Sequence, residues 1–392
     1  MRIGIAGPIK VSSLKQHLVN LTDYDKKLGL GGTAINEIID GFIKEGHYIT
    51  VFTLDPSITK KYVLEGPNVK IIFGNFRVNS KIKYIDFCQK EFRQIRNFIL
   101  EEKNNIDIVN AHWSYEFAIG TILAKTPHLI TFRDYAPRVL KFQKHIYRFF
   151  RLLMDIWVRK NGKNFSFNSN YLKDVINVNG VVIPNSFKEE NIKEHKISPV
   201  LKNKIKICCI SNGWGKLKNT EAALEAFYIL KKQIKNVELH LFGKGYEPKG
   251  ENFKKMEREG LNDCVFYRGE FSHNKLMQEL AASDILLHTS KEESFGNILI
   301  EAMANGVPVI AGENSGAVPW VLDYGKAGCL VDIEKPQEIA NKLKLLITNK
   351  NKYEEYSING RNNLKNRFSQ KIVCQKYINE YIRIVNESST YI

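Results

Sequence analysis

Two glutamates, Glu293 and Glu301, stand with seven residues between them in the second half of the chain. The segment between them contains Ser294 and Gly296, which let backbone N–H groups face outward where a helix begins, and such a helix start attracts phosphate. A carboxylate beside a phosphate is unfavourable unless it contacts hydroxyl groups. The pair therefore indicates a sugar nucleotide, with one acid on the sugar and one on the ribose. The competing interpretation is that Glu301 is a solvated helix residue and Glu293 caps the helix.

The residues around the two glutamates form a wider pattern. Followed by Ala302-Met303-Ala304-Asn305-Gly306-Val307-Pro308-Val309-Ile310-Ala311, they resemble the Glu-x7-Glu signature of glycosyltransferase family 4 (group 1), whose members are retaining enzymes of the GT-B fold. The resemblance runs from residue 1 to about 335. Its other stretches are Gly31-Gly32-Thr33 with the following helix and Glu45–Val51, then Ile106–His112, Val182-Ile183-Pro184-Asn185 and Leu241-Phe242-Gly243-Lys244-Gly245.

The resemblance implies roles for the second-half residues. Glu301 would bind the ribose hydroxyls, and Glu293 would contact hydroxyls of the transferred sugar. The donor diphosphate would be cradled by the backbone N–H groups of Ser294, Phe295, Gly296 and Asn297. Further donor contacts are expected from Asn212, Lys216, Lys218, Gly243 and Gly245.

In the first half the resemblance implies that Gly31 and Gly32 let a loop approach the diphosphate, and that His112 faces the sugar and the reaction centre. The competing interpretation of His112 is a strand-end histidine in a satisfied hydrogen bond. Its place after an apolar strand favours function, because ligands of α/β sheets bind beyond the carboxyl ends of strands. Arg133 is assigned to the acceptor side.

The chain departs from the family pattern in two loops. The family has an arginine and, five residues later, a lysine on the diphosphate; Lys218 matches the lysine, but Gly213 occupies the arginine position. Either the clamp on the leaving diphosphate is incomplete, which bears on the rate, or Lys216 substitutes. Solvated loop charge is the competing interpretation for both lysines. In the second loop, Trp320 replaces an acid of the family.

Strand-like and helix-like segments alternate along the chain, which predicts parallel sheets covered by helices. Strands are predicted at Arg2–Ala6, Ile49–Thr53, Val69–Phe73, Ile106–Ala111, His128–Phe132, Ile205–Ile210, Val237–Phe242, Val265–Arg268, Ile285–His288, Val307–Ala311 and Cys329–Val331, and helices at Ala34–Glu45, Ile85–Glu101, Glu221–Gln233, Asn274–Ala282 and Ile298–Asn305. The expected fold is α/β of the GT-B type, two Rossmann-like domains facing across a deep cleft. We expect an acceptor-side domain at 1–185, a linker at 186–203, a nucleotide-sugar domain at 204–369 and a helix at 370–392 that crosses back to the first domain.

Residues 141–160 predict a helix with two stripes. One stripe is apolar and the other basic, the latter with Lys144, Arg148, Arg151 and Arg159 and with Asp155 as the only acid. This pattern is typical of a helix on an anionic membrane surface. The alternative is a helix with its apolar face on the core and its basic face in water.

Composition excludes several classes of protein. Hydrophobic residues are 43% and charged residues 26% of the 392, as in a soluble globular protein. The first apolar run is too short for a signal peptide, and no run reaches the about 18 residues of a spanning helix. Six cysteines without a CxxC pair indicate reduced thiols and a cytoplasmic location, with peripheral contact on the inner membrane face as a further expectation. The net charge of +16 is concentrated in residues 1–185.

The sequence thus predicts a retaining glycosyltransferase that moves a sugar from a nucleoside-diphosphate sugar to a hydroxyl of a glycan or polyprenyl-linked acceptor in bacterial surface polysaccharide synthesis (capsule, O-antigen or exopolysaccharide). No metal and no cofactor beyond the donor are expected. The alternatives are a sugar-nucleotide epimerase of the same fold and an inactive sugar-nucleotide binder. Nucleic-acid binding, suggested by the charge, lacks a recognisable binding module, and no nucleic-acid partner is expected.

Overall fold

The chain forms two units, each built around one sheet whose strands are rich in buried Ile, Val, Leu and Phe. A computed structural model describes residues 1–78, 83, 85–193 and 198–389. Unit 1 comprises Met1–Ser186 and Gln370–Ile392, and unit 2 comprises Phe187–Ser369. Apart from Ser186, the segment predicted as a linker belongs to unit 2. Residues 194–197 of that segment and 390–392 of the predicted C-terminal helix lie outside the described residues.

Unit 1 contains a mostly parallel sheet. Its described strands are β1 (Arg2–Ala6), β2 (Tyr48–Asp55), β3 (Tyr62–Gly66), β4 (Val69–Asn75), β5 (Ile108–His112), β6 (His128–Phe132), β7 (Phe165–Phe167) and β8 (Val181–Val182), in the order β3-β4-β2-β1-β5-β6-β7-β8. Only β3 among these is antiparallel, paired with β4 at the edge. The described α-helices are Thr33–Lys44, Gln89–Glu101, Glu116–Ala124, Ala136–Phe142, Ile146–Asn161, Asn170–Ile176 and Gln370–Ser389.

Unit 2 contains a parallel sheet. Its described strands are β9 (Ile205–Ile210), β10 (Val237–Phe242), β11 (Val265–Gly269), β12 (Ile285–His288), β13 (Val309–Gly312) and β14 (Cys329–Val331), in the order β11-β10-β9-β12-β13-β14. This is the doubly wound dinucleotide-binding order, in which the chain reverses direction across the sheet between β9 and β12. The described α-helices are Thr220–Gln233, Glu251–Arg258, His273–Ala281, Asn297–Ala304, Val318–Val321, Pro336–Thr348 and Lys350–Arg367.

The two passages of the chain out of unit 2 lie side by side. Phe187 N donates to Phe368 O at 2.9 Å, and Phe187 forms an isolated parallel bridge with Ser369. The helix Gln370–Ser389 then packs in unit 1, where Tyr377 and Tyr381 lie beside Phe42. Each connection is therefore held by backbone hydrogen bonding where it leaves unit 2.

Most predicted elements are present, and the differences are local. Short strands β3, β7 and β8 were not predicted, and the strand predicted at Val307–Ala311 begins only at Val309. The helix predicted over 141–160 is wrong in two respects. It is interrupted at 143–145 between the helices Ala136–Phe142 and Ile146–Asn161. In addition, neither stripe lies as a whole where the second interpretation places it, because Arg151 of the basic stripe is buried and Ile146 and Phe149 of the apolar stripe are exposed.

Two charged side chains of the helix Ile146–Asn161, those of Arg151 and Asp155, are buried. Arg151 is 8% exposed; it donates from Nη2 to Glu116 Oε1 at 3.1 Å and from Nε to the Tyr147 hydroxyl at 2.5 Å. Asp155 is buried and accepts from Ser114 Oγ at 2.6 Å, with Arg159 Nη2 at 2.8 Å. Because buried charges must be paired, these partners fix the rotation of the helix. Met154 and Val158 are buried beside them, and Ile146, Phe149 and Ile156 are left on the outer side.

The buried carboxyl of Asp155 makes unit 1 sensitive to pH. Burial raises its pKa from 3.8 to about 6, against the hydrogen bond from Ser114 and the charge of Arg159. Between about pH 4 and 6 the folded chain therefore holds a proton that the unfolded chain has lost, so stability falls as pH rises through that window.

We expect Asp155→Asn to remove this dependence. From pH 4 to pH 7, the free energy of unfolding of the wild type should fall by about 1–3 kcal/mol relative to that of the variant. Urea unfolding of both proteins at several pH values measures it. Parallel pH profiles for the two proteins would contradict the buried titration.

Candidate functional site

The loop before the helix Asn297–Ala304 is anchored by one aromatic ring. Phe295 is buried and packs edge to face on Trp320 and Phe368, with ring centroids at 6.3 and 5.5 Å. Gly296 then caps the helix with φ at 86°, a left-handed conformation that favours glycine. The helix therefore starts at a fixed point, and its first N–H groups have no partner within the helix.

Trp320, which replaces an acid of the family pattern, thus has a packing role. Its indole supports Phe295 from one side, and the guanidinium of Arg367 lies 4.7 Å from its ring centroid. The loop that carries Glu293 is therefore held in place by the contact between Phe295 and Trp320.

Glu293 lies among cationic and polar groups. Lys218 Nζ donates to Glu293 Oε1 at 2.8 Å and to Ser290 Oγ at 3.3 Å, and His288 Nε2 lies 3.4 Å from Glu293 Oε1. Burial alone would raise the pKa of Glu293, but the contact with His288 and the charge of Lys218 outweigh it and hold the pKa well below its usual value. The carboxylate is therefore ionised and is a poor proton acceptor.

Glu301 lies one turn further along the helix. Its Oε1 is 3.1 Å from His273 Nε2, and its side chain is only 13% exposed. The interpretation of Glu301 as a solvated helix residue is therefore wrong. The opposite face of the helix carries the buried Leu299, Ile300 and Met303.

The loop after β9 approaches these carboxylates. Thr289 Oγ1 donates to Lys218 O at 2.9 Å, and Lys291 N donates to Leu217 O at 2.8 Å. This contact fixes the backbone of Lys218 against the loop of Glu293. Lys216, in contrast, is exposed. At Gly213, the position of the family's arginine, an added Cβ would meet no atom within 4 Å.

These groups surround a cavity of about 440 Å³. It lies at the carboxyl ends of β9, β10, β11 and β12, where the strand order reverses, which is the expected ligand position in such a sheet. Ionisable and apolar groups both line it. The ionisable ones are Lys218, Glu270, His273, His288, Glu293 and Glu301, and the apolar ones are Ile210, Phe242, Phe271, Leu276 and Ile298. Such a cavity offers cationic and amide groups to an anion, carboxylates to hydroxyls, and an apolar wall to a flat ring.

The structure brings most of the predicted unit 2 residues to this cavity. Asn212, Lys218, Gly243, Glu293, Gly296, Asn297 and Glu301 line it. Lys216, Gly245, Ser294 and Phe295 are not among its lining residues. Sequence reasoning missed His288 and His273; His288 ends β12, so the strand-end rule applied to His112 was a usable signal for it.

A second polar group lies in unit 1 at the carboxyl ends of β5 and β6. His112 is fully buried, and its Nδ1 accepts from Arg133 Nε and Nη2 at 3.1 and 3.0 Å. Arg133 Nη1 also donates to Asn185 Oδ1. Burial and the charge of Arg133 lower the pKa of His112 well below its usual value.

The arginine also sets the tautomer of His112. A guanidinium only donates, so the neutral ring accepts at Nδ1 and carries its proton on Nε2. Among the described residues, His112 Nε2 has no hydrogen-bond partner. Buried polar atoms are nearly always paired, so this N–H is a candidate for contact with a ligand.

Gly31 and Gly32 precede the helix Thr33–Lys44 with φ of 109° and 104°. A Cβ at Gly32 would lie 2.1 Å from Pro8 O, whereas one at Gly31 would meet nothing within 4 Å. Gly32 thus permits a close backbone approach within unit 1, and Gly31 borders open space.

Within 1–78, 83, 85–193 and 198–389, no group of three or more His, Cys, Asp or Glu side chains is placed to hold a metal ion. Within the same residues, no helix has the length and apolar character needed to cross a membrane.

Comparison with known proteins finds similarity to glycosyltransferases, centred on unit 2. Residues 190–363 match the family model of glycosyl transferases group 1. An uncharacterized glycosyltransferase of Methanocaldococcus jannaschii is 32% identical over 201 residues, which are 51% of this chain and 50% of that protein. The chain thus spans about half the length of that relative. The capsular polysaccharide biosynthesis glycosyltransferase CapM of Staphylococcus aureus is 32% identical over 105 residues, 27% of each chain.

The fold is confirmed over nearly the whole chain. The crystal structure of Anabaena HepE in complex with UDP and glucose superposes with a TM-score of 0.69 at 17% identity, covering 97% of this chain and 99% of that one. The two parallel-sheet α/β units are those of GT-B glycosyltransferases, as the sequence predicts.

The close approach at Gly243 offers a stability test of the cavity wall. A Cβ there would lie 2.0 Å from Ser211 O at a φ of 119°, whereas Gly213 has a φ of 99° and open space. We expect Gly243→Ala to lower the free energy of unfolding by about 3 kcal/mol or more, and Gly213→Ala by about 1–2 kcal/mol from backbone strain alone. Denaturant unfolding measures both. Equal losses would show that the approach to Ser211 relaxes without cost.

Proposed function

We propose that the protein is a glycosyltransferase that moves a sugar from a nucleoside-diphosphate sugar to a hydroxyl acceptor with retention at the anomeric carbon. The observation that carries this proposal is the unit 2 cavity, which Lys218, the helix start at Asn297 and the carboxylates of Glu293 and Glu301 line together. The match of residues 190–363 to group 1 glycosyl transferases supports it. UDP and glucose bound to the similarly folded Anabaena HepE support a nucleotide-sugar donor.

Each part of the cavity suits one part of such a donor. Glu301, held by His273, would accept hydrogen bonds from the ribose hydroxyls. The apolar wall with Phe271 suits the base. Lys218 and the helix start at Asn297 would bind the diphosphate. Glu293, ionised at neutral pH, would accept from sugar hydroxyls.

The mechanism we propose uses the leaving group itself. The bond from the anomeric carbon to the diphosphate oxygen breaks on the face where the acceptor oxygen forms the new bond. The acceptor proton passes to the departing diphosphate, because the low pKa of Glu293 makes this residue a poor base. Lys218 and helix amides stabilise the charge on the diphosphate, and this proposal requires no metal.

Unit 1 would serve the acceptor side. His112 would donate its Nε2 proton to a hydroxyl of the bound substrates, and Arg133 would position the ring. Acceptors of this proposal are glycans or polyprenyl-linked glycans of a bacterial surface polysaccharide, which the partial likeness to CapM supports. Within the described residues, the cysteines of this chain form no disulfide, which suits a cytoplasmic enzyme acting at the inner membrane face.

Donor binding is tested by removing one contact at a time. We expect Glu301→Ala to weaken the binding of uridine and of uridine diphosphate alike by about 10-fold or more, since a hydrogen bond to the ribose contributes about 1.5 kcal/mol. Lys218→Met should weaken the binding of uridine diphosphate by a similar factor and leave the binding of uridine unchanged. Calorimetry with both ligands measures this. Glu225→Ala, an exposed glutamate on the helix Thr220–Gln233, is the matched control.

Full affinity of Glu301→Ala for the nucleoside would contradict the ribose assignment. Equal losses of nucleoside and diphosphate affinity in Lys218→Met would contradict the phosphate assignment. If uridine ligands do not bind the wild type, the same comparison is made with the base that does.

Transfer is tested with a panel of sugar nucleotides and mass detection of released nucleoside diphosphate and glycosylated product. We expect release to depend on an added acceptor, and Glu293→Gln to lower turnover about 100-fold or more with a much smaller change in affinity for free diphosphate. Conversion of the donor to a stereoisomer without release would establish the epimerase instead. Tight binding without turnover across the panel would establish the inactive binder.

A further inference from the structure

The helix Ile146–Asn161 presents an apolar face outward. Ile146 is 58%, Phe149 44% and Ile156 47% exposed, and with the half-buried Leu153 they form one stripe at helical spacing. On the inner side, Arg151 pairs with Glu116 and Asp155 accepts from Ser114. Turning the stripe inward would break these contacts and leave the buried Glu116 without its cation. Contiguous exposed apolar surface of this kind marks an interaction site.

The apolar surface continues beside the helix. Phe87 is 40% exposed, and its ring meets Phe150 edge to face at 5.1 Å. A cavity of about 320 Å³ lies next to the stripe, with an apolar lining from three helices and Phe87 that includes Phe92, Leu123 and Trp157. The face is therefore a broad patch and not a single ridge.

The border of this patch is cationic. Lys141, Lys144, Lys160 and Lys163 are exposed, and Asp155, the only acid in residues 136–163, is buried. Two copies meeting through this face would bring lysines against lysines, which is unfavourable. An anionic surface, in contrast, complements the border.

We propose that the outward stripe of Ile146, Phe149 and Ile156, with Phe87 beside it, docks unit 1 onto an anionic lipid bilayer. The apolar side chains enter the boundary between headgroups and acyl chains, while the lysines meet anionic headgroups. This differs from the sequence-based expectation, in which the basic stripe meets the membrane. The membrane would be a partner of the proposed glycosyltransferase, and the biological purpose of this inference rests on that proposed function.

Docking through this face has a consequence for unit 1. Ser114, two residues beyond His112, is bonded to Asp155 on the inner side of the same helix. Glu116 is bonded to Arg151 in the same way. The carboxyl end of β5 thus lies directly beneath the docking helix, where the hydroxyl of a lipid-linked acceptor becomes accessible near the headgroups.

The test is co-sedimentation of the full chain, without any sugar nucleotide, with vesicles of equal parts phosphatidylglycerol and phosphatidylcholine. We expect the triple variant Ile146→Ser, Phe149→Ser, Ile156→Ser to lose on the order of 30-fold in partitioning, from three half-buried apolar groups. The matched control removes three exposed apolar side chains elsewhere, Tyr324→Ser, Ile358→Ser and Ile382→Ser, and should bind like the wild type.

Charge is tested separately. Lys141→Gln, Lys144→Gln and Lys160→Gln together should abolish the preference for anionic over pure phosphatidylcholine vesicles. Absence of wild-type binding, or equal binding of the apolar triple variant and its control, would overturn the proposal. A wild-type dimer in sedimentation velocity that the apolar triple variant dissociates would show that a second copy covers the face. These experiments contain no sugar nucleotide, so a negative result here would contradict membrane docking without contradicting the proposed sugar transfer.

Discussion

The ionised carboxylate of Glu293 is held beside Lys218 and His288, and the geometry of unit 2 depends on this contact. A carboxylate this deeply placed is stable only if its charge is matched, so the loop after β9 and the loop after β12 must meet. Their backbone contacts through Leu217 and Lys218 do this. The cavity at the strand ends is the space that remains between the two loops and the helix start.

An aromatic support holds the same loop from the other side. Phe295 lies against Trp320 and Phe368, so the residue between the two glutamates is fixed in the core while its neighbours remain at the cavity. The spacing of Glu293 and Glu301 is thus set by a buried ring, a left-handed glycine and one helical turn. The sequence pattern reflects all three.

The sheets and the Glu293–Glu301 segment were predictable from the sequence because both depend on short-range patterns. Buried strands are apolar runs, and glycine with flanking acids marks the helix start. Lys216 and Lys218 are two residues apart in one loop, and only folding shows that Lys218 reaches Glu293. Likewise, His273 is distant in sequence from Glu301, and no local pattern connects them.

The helix Ile146–Asn161 shows where pattern reasoning fails. Its periodicity defines two stripes but not which of them is buried. The partners that decide this, Glu116 and Ser114, come from another element, and sequence periodicity carries no information about them. The inner side of the helix combines the paired Arg151 and Asp155 with the buried Met154 and Val158. The exposed apolar residues of the stripe are therefore left on the outer side.

Phe368 has a position that links two features of unit 2. Its ring supports Phe295, and its carbonyl accepts the hydrogen bond from Phe187, where the chain enters and leaves the unit. The loop of Glu293 and both chain connections therefore meet at one residue, the loop through its ring and the connections through its backbone. Loss of this ring would remove the support of Phe295 and so disturb the loop of Glu293 from outside the cavity, and a search for determinants of ligand binding confined to cavity-lining residues would overlook it.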